Sequence, residues 1–249
     1  MRKVARKVGP IAAASVVGAV AVAAASYFQP YPVSGDKALL EASASVKVER
    51  GPYGLAFVPA EKGARTGIVF YSGARVPPEA YAYLGRSCAE AGFTAVFPSF
   101  PLNFAIFDPD KARDAIAAFP EVERWVAGGH SLGGAMACAY ASGGETAGLF
   151  LLAAYPGGKT DLSASGLPAV SVSASADGLA TPRKVAAARS FMPAGARYVE
   201  IAGGNHAQFG EYGAQKGDGA AEISGPAQRR VVVEEALALL GGLESRAGE

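Results

Sequence analysis

Seven residues constrain this chain more than any others. Gly128–Gly134 reads GGHSLGG, after a short apolar run that ends at Ala127 and before an Ala-rich stretch that begins at Gly133. A serine placed where a buried strand turns directly into a helix sits on a very tight turn. Such a turn projects the hydroxyl clear of the backbone. Gly129 and Gly133, two before and two after Ser131, leave out the Cβ atoms that would block the close approach of strand and helix. The helix starts at the serine, so its first free N–H groups face whatever reacts there. In a chain with 32 glycines the G-x-S-x-G pattern alone is a modest signal. Its position between strand and helix gives it weight.

The rest of the chain supplies the matching framework. Eight short apolar runs bounded by Gly, Pro or Ser read as strands: Val46–Glu49, Gly54–Val58, Gly67–Tyr71, Thr94–Pro98, Arg124–Ala127, Ala147–Ala153, Ala169–Ser173 and Tyr198–Ile201. Several, such as GLFLLA at Gly148–Ala153, are apolar on both faces, as in a parallel sheet covered by helices. Helical stretches alternate with them at Pro78–Ala91, Pro109–Ala118, Gly133–Ala141, Pro182–Phe191 and Pro226–Leu240, the last with Gly241–Gly242 as its stop signal. This is an α/β fold: one mostly parallel sheet of about eight strands with helices on both faces.

Charge is low and unevenly placed. Charged residues make up 18% of 249, and hydrophobic residues 50%. That excludes a disordered chain and a nucleic-acid binder held by a basic field. Arg2, Lys3, Arg6 and Lys7 lead into Ile11–Ala25, an uncharged Ala/Val run that can be extended to Phe28. A signal peptide cleaved after Ala25 and a retained membrane anchor both fit residues 1–25. Either places the remainder outside the cytoplasm, secreted or membrane-anchored, because the positive end stays in. Residues 26–45, with two prolines and a glycine between Gln29 and Asp36, read as a linker, so the domain is expected at 46–243 with a tail at 244–249. It is expected to fold without residues 1–35. Cys88 and Cys138 read as buried small apolar residues on helices covering opposite faces of the sheet, unbridged.

A nucleophilic serine needs a base and an orienting acid. The chain has two histidines. His130 leaves the turn in another direction from Ser131 and reads as structural. His206, in the loop IAGGNHAQFG after the last strand, is the base by elimination and position. The acid falls between Ser131 and His206: Asp177, in SASADGLATP after the preceding strand, is favoured over Asp161, which reads as a turn cap. The Leu132 N–H is one oxyanion donor. The loop after the third strand, SGA, offers the second, with Gly73 freeing the backbone and the Ala74 N–H donating. Arg75 reads as a solvated loop charge. Phe100, Leu102, Asn103 and Phe104 either form one wall of the cleft or pack the loop.

Five segments carry a resemblance: YSGARVPPEAY at Tyr71–Tyr81, FPSFPLNFAIFDP at Phe97–Pro109, GGHSLGGAMA at Gly128–Ala137, SADGLATP at Ser175–Pro182 and GGNHAQFGEYG at Gly203–Gly213. Through them the chain resembles the α/β-hydrolases, specifically the compact fold-5 group related to dienelactone-hydrolase-like enzymes, over roughly residues 50–242. The resemblance implies a Ser131–Asp177–His206 triad and a serine hydrolase cleaving an ester or related acyl bond, with neither metal nor organic cofactor. Acyl transfer by the same triad and a non-catalytic binding module are the alternatives. Tyr155–Pro168 leaves no room for a cap domain, so an open cleft is expected. A small-molecule acyl substrate, a monomer, no nucleic acid, and membrane contact only through an uncleaved N-terminus complete the expectation.

Overall fold

The computed structural model describes residues 28–246. The expected signal or anchor at 1–25 lies outside them. Eight strands form one sheet: β1 (Val46–Gly51), β2 (Gly54–Pro59), β3 (Thr66–Tyr71), β4 (Thr94–Phe97), β5 (Arg124–His130), β6 (Gly148–Leu152), β7 (Ala169–Ala174) and β8 (Arg197–Ile201). Their spatial order is β1-β2-β4-β3-β5-β6-β7-β8. β1, β2 and β4 pair antiparallel, and every pair from β4–β3 to β7–β8 is parallel. Each of the eight runs read from the sequence is a strand here.

Alternate residues of the central strands feed two cores. Ile68, Phe70, Val126, Phe150 and Leu152 belong to one. Val69, Tyr71, Ala127, Leu149 and Leu151 belong to the other. Burial on both faces explains why these strands lack polar alternation. The helices are α1 (Ala82–Glu90), α2 (Ala112–Ala118), α3 (Leu132–Ala141), α4 (Pro182–Ala187) and α5 (Gly225–Arg246). Cys88 and Cys138 are buried in different cores, one on each side of the sheet. Burial pushes both thiols up to about 12.

Two boundaries differ from expectation. Helix α5 runs through Gly241–Gly242 to Arg246, so the supposed tail at 244–249 is helical as far as it is described. Two mid-helix glycines cost about 1 kcal/mol each, and side chains just beyond them offset that cost. Leu243 is buried in the core. Glu244 accepts from the Arg65 N–H, the Thr66 hydroxyl and Arg124. Burial alone would raise the Glu244 carboxyl, but these bonds hold it below its usual range.

The stretch read as a linker is also docked. Lys37–Leu40 forms a short 3₁₀ turn capped by Asp36, with Leu39 and Leu40 against the core. Tyr31 packs on Tyr212, with 5.2 Å between ring centres, and beneath the Arg75 guanidinium. The Ser34 N–H donates to Glu211 O at 2.8 Å. The prolines shape this segment into extended chain that lies on the domain. Among the described residues no helix is long and apolar enough to cross a membrane.

Candidate active site

Ser131 sits between β5 and α3 with φ 54° and ψ −125°, backbone that a non-glycine residue adopts only under constraint. The constraint is packing. A Cβ on Gly129 would lie 2.6 Å from the Gly133 carbonyl carbon and the Gly134 nitrogen. A Cβ on Gly133 would lie 2.2 Å from the Ser72 oxygen. The strand before the serine, the helix after it and the end of β3 therefore touch backbone to backbone. The Ser131 N–H donates to Leu152 O at 3.0 Å, which pins the turn to β6.

His206 and Asp177 meet. The His206 Nδ1–H donates to Asp177 Oδ2 at 2.8 Å, and both side chains are buried. Asp177 Oδ1 accepts from the Leu179 and Ala180 N–H groups, each at 2.7 Å. These bonds fix the carboxylate against rotation and select the imidazole tautomer whose Nε2 carries the lone pair. That Nε2 is buried and has no hydrogen-bond partner among the described residues. Asp161, the rival acid, is exposed, and its Oδ1 accepts from the Ser163 N–H at 2.9 Å. That is the turn-cap role.

The two histidines, unrelated in the sequence reading, are neighbours: their ring centres are 4.6 Å apart. His130 Nδ1 lies 2.8 Å from the Tyr81 hydroxyl. That hydroxyl accepts from the Gly73 N–H at 3.1 Å, so its own proton points to His130. Burial first, and then the closeness of His206, push the His130 imidazole well below its ordinary value. It is a neutral wall beside His206. Burial also raises the Tyr81 hydroxyl far above its usual range, which keeps it protonated.

These bonds also sort the oxyanion candidates. The Gly73 N–H, included among them from sequence, is committed to Tyr81. The Arg75 N–H donates to Asn103 O at 2.8 Å. The Ala74 N–H lies between these two committed neighbours, in the turn closed by Val76 N–H to Gly73 O. Arg75 is more than a solvated charge: its guanidinium covers the Tyr31 ring and donates to Gln29 O.

An open cleft of about 290 Å³ adjoins the serine, lined by Ser131, Leu132, Ala153, Tyr155, Leu179 and Ala180 among others. The Phe100–Phe104 segment is not part of this lining. Phe100 is buried against Tyr71 and Phe104 against Phe28, whereas Leu102 faces solvent. For the two phenylalanines, loop packing is what the structure shows.

Sequence reading missed the residues that hold the two loops together. Asp218 accepts four backbone N–H groups: Gly178, His206, Ala207 and Gly219, at 2.8–3.1 Å. It thus joins the loop of Asp177 to the loop of His206. Gln228, fully buried on α5, accepts from the Asn205 N–H and donates to Asn205 O. Among the described residues no group of three His, Cys, Asp or Glu is placed to hold a metal ion.

The fold agrees with the comparisons. Residues 67–230 match the model of the alpha/beta hydrolase family, and the chain belongs to that family. An alpha-beta serine hydrolase homologue from Coxiella burnetii superposes with a TM-score of 0.55 at 14% identity, covering 78% of this chain and 98% of its own. TT1662 from Thermus thermophilus gives 0.57 at 16%, covering 80% and 98%. At these identities the likeness is one of fold. Comparison with curated proteins finds no match.

Proposed function

We propose that this α/β-hydrolase is a serine hydrolase that cleaves an ester or related acyl bond of a small substrate through an acyl-enzyme. Ser131 attacks the carbonyl carbon while His206 Nε2 takes its proton. Asp177 holds the imidazolium that results. The N–H groups of Leu132 and Ala74 receive the negative oxygen. His206 then returns the proton to the leaving alcohol, and water repeats the sequence to release the acid. The observation that carries this reading is the buried Asp177–His206 pair, whose second ring nitrogen is left unpartnered, beside the residue that precedes a strained serine.

The test is a fluorophosphonate probe with a p-nitrophenyl ester assay. The unaltered protein should label at Ser131 and turn the ester over. Ser131→Ala should fold, fail to label and lose several powers of ten in kcat. Undiminished labelling of the variant overturns the assignment, and absence of labelling in the unaltered protein favours a binding module.

A further inference from the structure

The described part of the chain begins beside the loops that follow β3 and β4. Phe28 packs edge-on against Phe104, with 5.7 Å between ring centres. The Tyr31 N–H donates to Arg75 O at 2.9 Å, in the loop that carries Ala74. Phe104 in turn meets Phe107 at 5.8 Å, within the segment that follows β4. This segment exposes Leu102, Ile106 and Phe107, each more than half accessible. They are three of the five large apolar side chains that the described residues expose.

The backbone holds them outward. Leu102 and Asn103 take φ 54° and 57°. Asn103 O accepts from the Arg75 N–H, and the turn at Ala105–Phe107 packs on α3, the helix that starts at the serine. The apolar patch is therefore fixed to the same elements that build the site.

What lies next to it is readable from the chain that precedes Phe28. Ile11–Phe28 is eighteen residues without a charge, behind Arg2, Lys3, Arg6 and Lys7, and Tyr27, Phe28 and Tyr31 cluster at its end. An apolar run of this length suits a bilayer core, and aromatic residues at its end suit the headgroup level. Asp108 and Asp110 follow the patch, and Lys111 is paired with Asp114. Attraction to anionic lipid is therefore not what would hold it; apolar insertion is.

We propose that the N-terminal segment is retained as a membrane span and that Leu102, Ile106 and Phe107 enter the headgroup–acyl boundary of the leaflet it emerges from. The Ser131 cleft then takes its acyl ester from the membrane surface; this last step rests on the hydrolase reading above. The test uses the full chain reconstituted in phosphatidylcholine vesicles with brominated acyl chains. Trp125, the single tryptophan, is buried and gives a constant background. F107W should be quenched at least twofold. L167W, just before β7 and so at the opposite end of the parallel strands from the patch, should not.

Equal quenching at the two positions overturns the proposal, as does protein that does not associate with vesicles. So does a blue-shifted, unquenched F107W, which would place residues 11–27 or a second copy over the patch. In a second arm, I106S/F107S should lose at least tenfold on a bilayer-borne ester and keep its rate on a soluble acetyl ester. Equal loss on both would assign the patch to the cleft itself. Quenching does not require catalysis, so an inert Ser131 would fail the ester arm alone.

Discussion

Adding one methyl group at Gly133 should disable the site without touching any reacting atom. In Gly133→Ala the new Cβ would sit 2.2 Å from Ser72 O and 2.3 Å from Tyr71 O, both backbone atoms at the end of β3. No side chain can rotate away to make room. Restoring contact distance needs roughly 1 Å of separation between the first turn of α3 and β3. The Leu132 N–H would move with the helix and the Ala74 N–H would stay with the strand, so the two proposed oxyanion donors would part by about that amount. A 1 Å displacement costs on the order of 10² in rate, and the overpacking about 1–3 kcal/mol in stability. Gly157→Ala is the control. It lines the same cleft, and its Cβ would meet nothing closer than Ala135 Cβ at 3.8 Å, so its effect should stay within about 0.5 kcal/mol. Urea unfolding and p-nitrophenyl acetate kinetics read both. A Gly133→Ala protein within threefold of the unaltered rate would refute the reasoning.

Three further outcomes follow from the loops around His206. Asp177→Asn should lower kcat by up to ~10⁴ through loss of the imidazole tautomer, while Asp161→Asn, at an exposed turn, should change it by less than about twofold; steady-state kinetics on both separates them. Asp218→Asn keeps one acceptor oxygen but turns an N–H toward the Ala207 N–H, so it should cost about 2 kcal/mol by urea titration and lower kcat more than it raises KM. His130, neutral when folded and free to take a proton when unfolded, should make stability fall as pH drops below about 6.5, by at most about 1.4 kcal/mol per unit. His130→Gln should flatten that slope in unfolding measured at pH 5, 6 and 7, and an unchanged slope would mean His130 is not the group responsible.

Much of this fold was legible because its signals are local. A buried parallel strand announces itself as a short apolar run, and the elbow as glycines at fixed distances from Ser131. His206 stands out as the candidate base by elimination, since there are two histidines to choose from, and what the structure adds is its bond to Asp177. What escaped acts through backbone groups far along the chain. Asp218 looks like any loop carboxylate until Gly178 and His206 are seen to donate to it. The nearness of His130 to His206 depends on β5 and β8 ending on the same side of the sheet, and on loops whose path no periodicity records. Gly241–Gly242 misled for the opposite reason. A strong local stop signal was overridden by Leu243 and Glu244, whose partners lie on β3, β5 and in the core. The prolines near residue 30 likewise mark extended chain, but what holds it is Tyr31 on Tyr212.

The order of the strands also sets when the site comes into being. From β5 outward the sheet grows in chain order, β5-β6-β7-β8, so Ser131 arrives with a central strand, Asp177 after the next strand but one, and His206 only after the edge strand. In chain order Ser131 thus precedes its proposed base by the whole of β6, β7 and β8. Helix α5, which follows β8 in the chain, brings Gln228 to the His206 loop and Glu244 to β3 and β5. On the proposed triad, a chain truncated before Gly225 would carry Ser131, Asp177 and His206 but lack the Gln228 and Glu244 contacts that tie the His206 loop and the starts of β3 and β5 to this helix.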